Sequence, residues 1–372
     1  MKVPIIDLKA AYLEQRDELN KAAIEVLESG YYVSGPRVAE LEKSICKYLN
    51  VPCAVGVSAG TEALRLSLLA LGIKAGDEVL TPTFTFFACA SMIAAIGAKP
   101  VFVDIDPDDY NINPDDLKKR ITSKTKGIIV VHLYGHPARM DEILKFAKEK
   151  TLFVIEDCAQ SIGSEYKDKK TGSIGTLGTF SFYPTKNLHA CGEGGMVTGH
   201  DENLLEKVNL YRSHGEKPRY YHHVLGMNAR MHEMQAALIK VKMKMLEKWN
   251  NRRCEIALMY DDGFKGLDLK IPPKPDMNFK PVYHAYTIRV SKRDELKKFL
   301  DEREIGNMIY YPLPLHLQPV FKHLGYKKGD YPESERACEE VISIPIHPYL
   351  TKEQVKFVIN SFQDYFSSME AL

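Results

Sequence analysis

The chain has 372 residues, beyond the ~250–300 at which a single hydrophobic core stops growing, so a large domain plus a smaller one is expected. Hydrophobic residues at 45% and charged residues at 27% are the mix of an ordinary globular protein, and exclude extended disorder. Lys+Arg number 50 against 49 Asp+Glu, a formal net charge of +1, which leaves no basic excess to attract nucleic acid.

The opening MKVPIIDLKAAY is interrupted by Pro4 and Asp7, and no stretch reaches the ~18 apolar residues of a membrane helix, so neither secretion nor membrane insertion is expected. The seven cysteines are scattered, odd in number and nowhere spaced as CxxC, which fits reduced thiols in a cytoplasm.

In chain order, Pro36 suits a first helical position, and Val38, Leu41, Ile45 and Tyr48 follow at helical spacing. Short apolar strands are predicted at 53–57, 78–81, 100–104 and 127–132, separated by helices around 61–72, 86–97 and 139–149. That alternation predicts a mostly parallel sheet. After a strand at 152–156, strand-like runs at 178–183 and 194–198 follow with no helix between them, unlike a plain dinucleotide-binding fold. A long helix from Glu233 to Trp249, ending at Asn250 and Asn251, reads as the connector between domains. The proline-rich segment 271–281 reads as a linker or loop. VYHAYTIRV (282–290) then alternates like a strand, RDELKKFLDE follows as a helix, and Thr351 with Gln354 forms a capping-box pattern ahead of a last helix. The expected division is 1–250 and 251–372.

Three segments carry chemistry. In VGVSAGTEALRLSLLALG (55–72) a strand runs through small residues into a helix that starts at Gly60 and Thr61; unpaired amides and the positive dipole end suit a phosphate there, although an ordinary helix cap has the same look. In VIEDCAQSIG (154–163) a buried strand ends in two carboxylates. Asp157 is the better placed to face a cleft beyond the strand's carboxyl end, where it could hold a protonated pyridine nitrogen, with Gln160 donating nearby; a helix cap or a metal or sugar ligand would read the same way. In GTFSFYPTKNLHACGEGGMV (178–197) Lys186 sits in a tight turn between two strands, five residues after Ser181. A held, desolvated lysine has the lowered pKa that attack on an aldehyde requires, although one surface lysine among many would read the same way.

Together with TFTFFACA, GMNARMHEMQAA, SGYYVSGPRVAELE and YYPLPLHLQ, these segments follow in the order seen in nucleotide-sugar aminotransferases of the DegT/StrS type, which the chain resembles from about residue 4 to 350. The resemblance implies an aspartate-aminotransferase-like α/β fold (fold type I), with a mostly parallel central sheet in the large domain and a smaller α+β C-terminal domain. It implies that Lys186 carries pyridoxal 5'-phosphate as a Schiff base, that Asp157 pairs with the ring nitrogen and that Gln160 contacts the ring hydroxyl. By the same resemblance Gly60, Thr61 and Ser181 take the phosphate, Phe86 stacks on the ring, and Asn228 reaches the phosphate from the other subunit of a homodimer. Arg230 and His316 are placed near the sugar nucleotide. The implied reaction converts a nucleotide-linked 3- or 4-keto hexose to an amino sugar, with glutamate as donor.

The lysine tail departs from the commoner NLGAYGDGG by His189, Cys191 and Glu193. A sister group that replaces the lysine with histidine dehydrates sugars instead; the retained Lys186 disfavours that chemistry, and with Asp157 it also disfavours a regulator that binds without turnover. His132 and His136 flank LYGHP and so do not share a helical face as zinc ligands would. His222 and His223, adjacent in an extended segment, point opposite ways and read as packing or interface residues. Cys158, at a buried strand end, reads as a small hydrophobe rather than a reactive thiol.

Overall fold

The computed structural model describes residues 1–370. Its first strands are β1 (Cys53–Val57), β2 (Glu78–Pro82), β3 (Lys99–Val103), β4 (Thr125–Val131) and β5 (Phe153–Asp157), followed by short β6 (Glu165–Tyr166) and β7 (Lys169–Lys170), then β8 (Leu177–Ser181) and β9 (Gly195–Gly199). Seven of them form one sheet in the order β1-β9-β8-β5-β4-β2-β3. β8, β5, β4, β2 and β3 pair in parallel, while β9 runs antiparallel to both of its neighbours. The sheet is covered on both faces, so its strands are nearly continuous apolar runs: β4 buries Ile128, Ile129, Val130 and Val131 on both sides of the pleat.

This topology creates the site. β1, β2, β4, β5 and β8 all point the same way, so the loops leaving their carboxyl ends gather along one edge. β9 points the opposite way and therefore starts at that edge, bringing the residues just before Gly195 to it. The helix-free passage from β8 to β9 anticipated from sequence is the turn that holds Lys186.

The connector helix differs from expectation. It is two helices, Glu233–Met243 and Leu246–Gly263, and the second runs well past Asn250. Asparagine weakens a helix by competing for backbone hydrogen bonds. Here the Asn250 side chain is committed elsewhere: Nδ2 donates to the Ile162 carbonyl (3.0 Å) and Oδ1 accepts from Asn187 (2.8 Å). The helix begins in one core, with Leu246 beside Ile239 and Phe182, and ends in another, with Ile256 and Tyr260.

The second core contains Tyr286, Ile288, Leu296, Ile342, Val355 and Phe362. Its strands β11 (Tyr286–Arg289) and β12 (Val341–Ile344) pair antiparallel, and β10 (Phe279–Lys280) reaches back to β6. The capping box forms as read, with Gln354 N–H donating to Thr351 Oγ1 (3.1 Å) and Thr351 N–H to Gln354 Oε1 (3.0 Å). Val3 pairs with Ile305 and joins this core, so the first residues of the chain pack with its C-terminal part. Among the described residues no helix is long and apolar enough to cross a membrane.

Candidate active site

The helix Gly60–Ala70 follows β1, and its N-cap is Ala59, which has no side-chain oxygen to satisfy the first amides. The ordinary-cap reading therefore fails here, and the free N–H groups face the cleft. A Cβ on Gly60 would lie 2.6 Å from Ser181 Cβ and 3.0 Å from its Cα. Only glycine lets the helix start come this close to the end of β8.

Asp157 and Glu156 close β5 and, by strand alternation, face opposite sides of the sheet. Glu156 is fully buried and saturated: it accepts from His132 Nε2 (2.9 Å) and from the amides of Gly172, Ile174 and Gly175. Burial alone would raise its pKa, but the hydrogen bonds from His132 and from those amides hold it below the usual carboxylate value. His132 Nδ1 meanwhile accepts from Ala138 N–H, and burial pushes the neighbouring Cys158 thiol up. This His–Glu–Cys cluster thus commits its donor atoms to hydrogen bonds rather than to a metal. Asp157 faces the cleft, with Oδ1 accepting from Ala159 N–H (3.0 Å) and Oδ2 from the Cys89 thiol (3.1 Å).

Lys186 is fixed by a short turn in which its N–H donates to the Tyr183 carbonyl (2.9 Å). Burial lowers its ammonium pKa to about 8, against a smaller opposing pull from Asp157. The next residue locks the turn to the rest of the molecule. Asn187 Nδ2 donates to Asn250 Oδ1 and the Val282 carbonyl, which leaves its oxygen facing His284 Nδ1 (3.2 Å). His284 is kept neutral, first by burial and then by the charges of Lys186 and Arg253.

One cavity of about 560 Å³ is lined by Gly60, Thr61, Phe86, Asp157, Gln160, Ser181 and Lys186, seven of the residues anticipated from sequence. Three anticipated residues lie elsewhere. Asn228 and Arg230 are outside the cavity lining, and Asn228 Oδ1 accepts from Arg230 Nη2 (2.9 Å). His316 is buried beneath the loop after β2, bonded through Nδ1 to Thr83 Oγ1 (2.8 Å) and through Nε2 to Glu335 (3.1 Å). The side chain of His316 is thus enclosed within its own chain.

Sequence reasoning did not single out His284, Thr85, Tyr183, Tyr310 or Tyr311 for the cavity, which they also line. Gln160 Oε1 accepts from Tyr134 N–H (2.7 Å), and its Nε2 donates to Tyr311 Oη (3.1 Å), leaving a second Nε2 hydrogen for a ligand. The alternating VYHAY run and the paired tyrosines of YYPLPLHLQ were visible, but nothing local shows that they fold back across the sheet edge.

The donor set fits pyridoxal phosphate. A carboxylate lies on the cavity floor for the pyridine nitrogen, a lysine of lowered pKa stands ready for the aldehyde, and a cradle that a Cβ would fill takes the phosphate.

Comparison with known proteins gives the same reading. The family model for the DegT/DnrJ/EryC1/StrS aminotransferase family matches residues 14–363. A protein of Geobacillus stearothermophilus named a pleiotropic regulatory protein is 46% identical, over 98% of this chain and 99% of the relative. The dTDP-3-amino-3,4,6-trideoxy-alpha-D-glucose transaminase of Streptomyces venezuelae is 38% identical, over 98% and 96%. A crystal structure of S. venezuelae DesV in complex with a ketimine intermediate superposes with a TM-score of 0.96 at 38% identity, covering 98% of each chain. The fold is that of the pyridoxal-phosphate-dependent aminotransferases, and the chain belongs to the DegT/DnrJ/EryC1/StrS aminotransferase family.

Proposed function

We propose that this pyridoxal-phosphate-dependent sugar aminotransferase moves an amino group from glutamate to the keto carbon, at position 3 or 4, of a hexose linked to a nucleoside diphosphate. The observation that carries this reading is the convergence of Asp157, Lys186 and the Gly60–Ser181 cradle on one cavity. The name of the Streptomyces relative puts its amino group at carbon 3, which supports that position here.

Pyridoxal phosphate, when bound, supplies an electron sink for the carbanion formed at the amino donor's α-carbon. Lys186 Nζ would hold the cofactor's aldehyde and, as a free amine, would take the proton from the donor's α-carbon. Asp157 keeps the ring nitrogen protonated by its charge. Gln160 donates its remaining Nε2 hydrogen to the ring hydroxyl, and Phe86, open to the cavity, covers a ring face. Gly60, Thr61 and Ser181 supply phosphate donors. When the keto sugar arrives, Lys186 returns the proton on the reverse path.

The proposal includes a cytoplasmic homodimer in which Asn228 reaches the partner's phosphate and Arg230 faces the sugar nucleotide. Exposed Tyr31, Tyr32, Tyr220 and Leu225 are apolar surface that a partner would cover, which supports an interface. It also divides the chain at 250, within the helix that passes from one core to the other.

Glutamate added to the cofactor-loaded protein should replace the lysine-bound absorbance with that of the amine form. No change would refute glutamate as donor, and no change with any amino acid would favour a regulator, the role in the Geobacillus relative's name. For the dimer, mixing inactive Lys186→Ala chains with inactive Asn228→Ala chains should restore part of the activity, since one mixed site collects both lesions and the other neither. No recovery after confirmed exchange would refute the shared site.

A further inference from the structure

Asp157 is held from behind by a group with no role so far. The helix Ala88–Ala95, which follows β2, carries Cys89 into the core against Val131 and Ile155, with no exposure to solvent. From there its thiol donates to Asp157 Oδ2 at 3.1 Å, while Asp157 Oδ1 is fixed by Ala159 N–H. A buried thiol beside a carboxylate keeps its proton, because burial first and the Asp157 charge second push its pKa well above the ordinary value. The hydrogen bond is therefore always made with sulfur as donor.

A carboxylate on a rotatable stem, at the floor of an open cavity, can otherwise turn toward Lys186 or solvent. With one oxygen tied to its own loop and the other to Cys89, the carboxylate plane is set and the unused lone pairs face the cavity. Each donated hydrogen bond also stabilises the charged carboxylate.

We propose that Cys89 is a positioning residue for transamination, its thiol orienting Asp157 and holding its charge toward the pyridine nitrogen; this rests on the assignment of Asp157 to that nitrogen. The test compares cofactor-loaded Cys89→Ala, Cys89→Ser and Asp157→Asn proteins. The readouts are the pH midpoint of the bound cofactor's absorbance, kcat and KM for the amino donor, and the melting temperature. Cys89→Ala should shift the absorbance midpoint and lower kcat about 10-fold with KM little changed, the size expected for losing one hydrogen bond to a charged group. Cys89→Ser, which keeps a donor at this place, should recover most of both. If Cys89→Ala leaves midpoint and kcat as in the parent while Asp157→Asn moves them, the role of Cys89 is overturned and the Asp157 assignment stands. If Cys89→Ser melts like the parent yet fails to recover, the sulfur acts by packing and the proposal is overturned. If Asp157→Asn leaves the midpoint unmoved, the assignment beneath the proposal falls, and the proposal with it.

Discussion

The buried lysine makes a quantitative prediction about how the cofactor-free protein captures pyridoxal phosphate. Only the neutral amine attacks the aldehyde. With a pKa of about 8, roughly one-tenth of Lys186 is neutral at pH 7, against roughly 3 in 10,000 for an ordinary lysine, a gain of about 300-fold in reactive amine. Below that pKa the capture rate should rise about tenfold per pH unit, then flatten near pH 8. Asp157→Asn removes the charge that pulls the pKa up, so the flattening should move to lower pH. The same shift has a stability consequence. A lysine whose folded pKa is depressed destabilises the cofactor-free fold while it is charged, that is, below about pH 8, and this cost is relieved as pH rises from there toward the ordinary lysine value. The opening of Lys186 to the cavity trims that cost to roughly 2–3 kcal/mol. Stopped-flow absorbance of capture against pH, with Lys186→Ala as blank, measures the midpoint. A rate that climbs without a break to pH 10 would refute the argument that burial activates this amine.

Asp157→Asn should keep the cofactor but slow turnover by at least ~100-fold, because a neutral amide cannot hold the ring nitrogen protonated; steady-state kinetics with near-parent rates would remove Asp157 from the mechanism. Gly60→Ala puts a methyl 2.6 Å from Ser181 Cβ, so the phosphate cradle must open; cofactor affinity measured by equilibrium dialysis should fall about 10-fold or more, the loss of one charge-assisted hydrogen bond. Glu156→Gln should cost about 3 kcal/mol near neutrality by leaving buried N–H groups of His132, Gly172, Ile174 and Gly175 without their carboxylate acceptor. Because Glu156's folded pKa is lowered, its contribution is full above the ordinary carboxylate value and is lost as pH falls through the folded one, so urea melts of parent and variant should converge in acid; a constant gap would contradict this.

Much of the fold and half of the site were legible because they are local. Each strand followed by its small-residue turn is a contiguous segment, so Gly60, Asp157, Ser181 and Lys186 could be read one loop at a time, and parallel pairing then forces those loops to one edge. What escaped depends on pairs far apart in sequence. Gln160 meets Tyr311 across 151 positions, Asn187 meets Asn250 across 63, and Cys89 meets Asp157 across 68. The helix end misread at Asn250 has the same origin, since its polarity answers a distant turn rather than solvent. His316 shows the converse: a polar residue in a recognisable motif whose partners, Thr83 and Glu335, enclose it.

The most direct test of the account is the product. The cofactor-loaded protein, glutamate and a panel of 3-keto and 4-keto nucleotide sugars should yield, for one class, a product whose mass reflects exchange of a carbonyl oxygen for an amino group and a hydrogen, absent with Lys186→Ala. Loss of a sugar hydroxyl instead, or no amino sugar from any substrate while the protein still binds its cofactor, would contradict it.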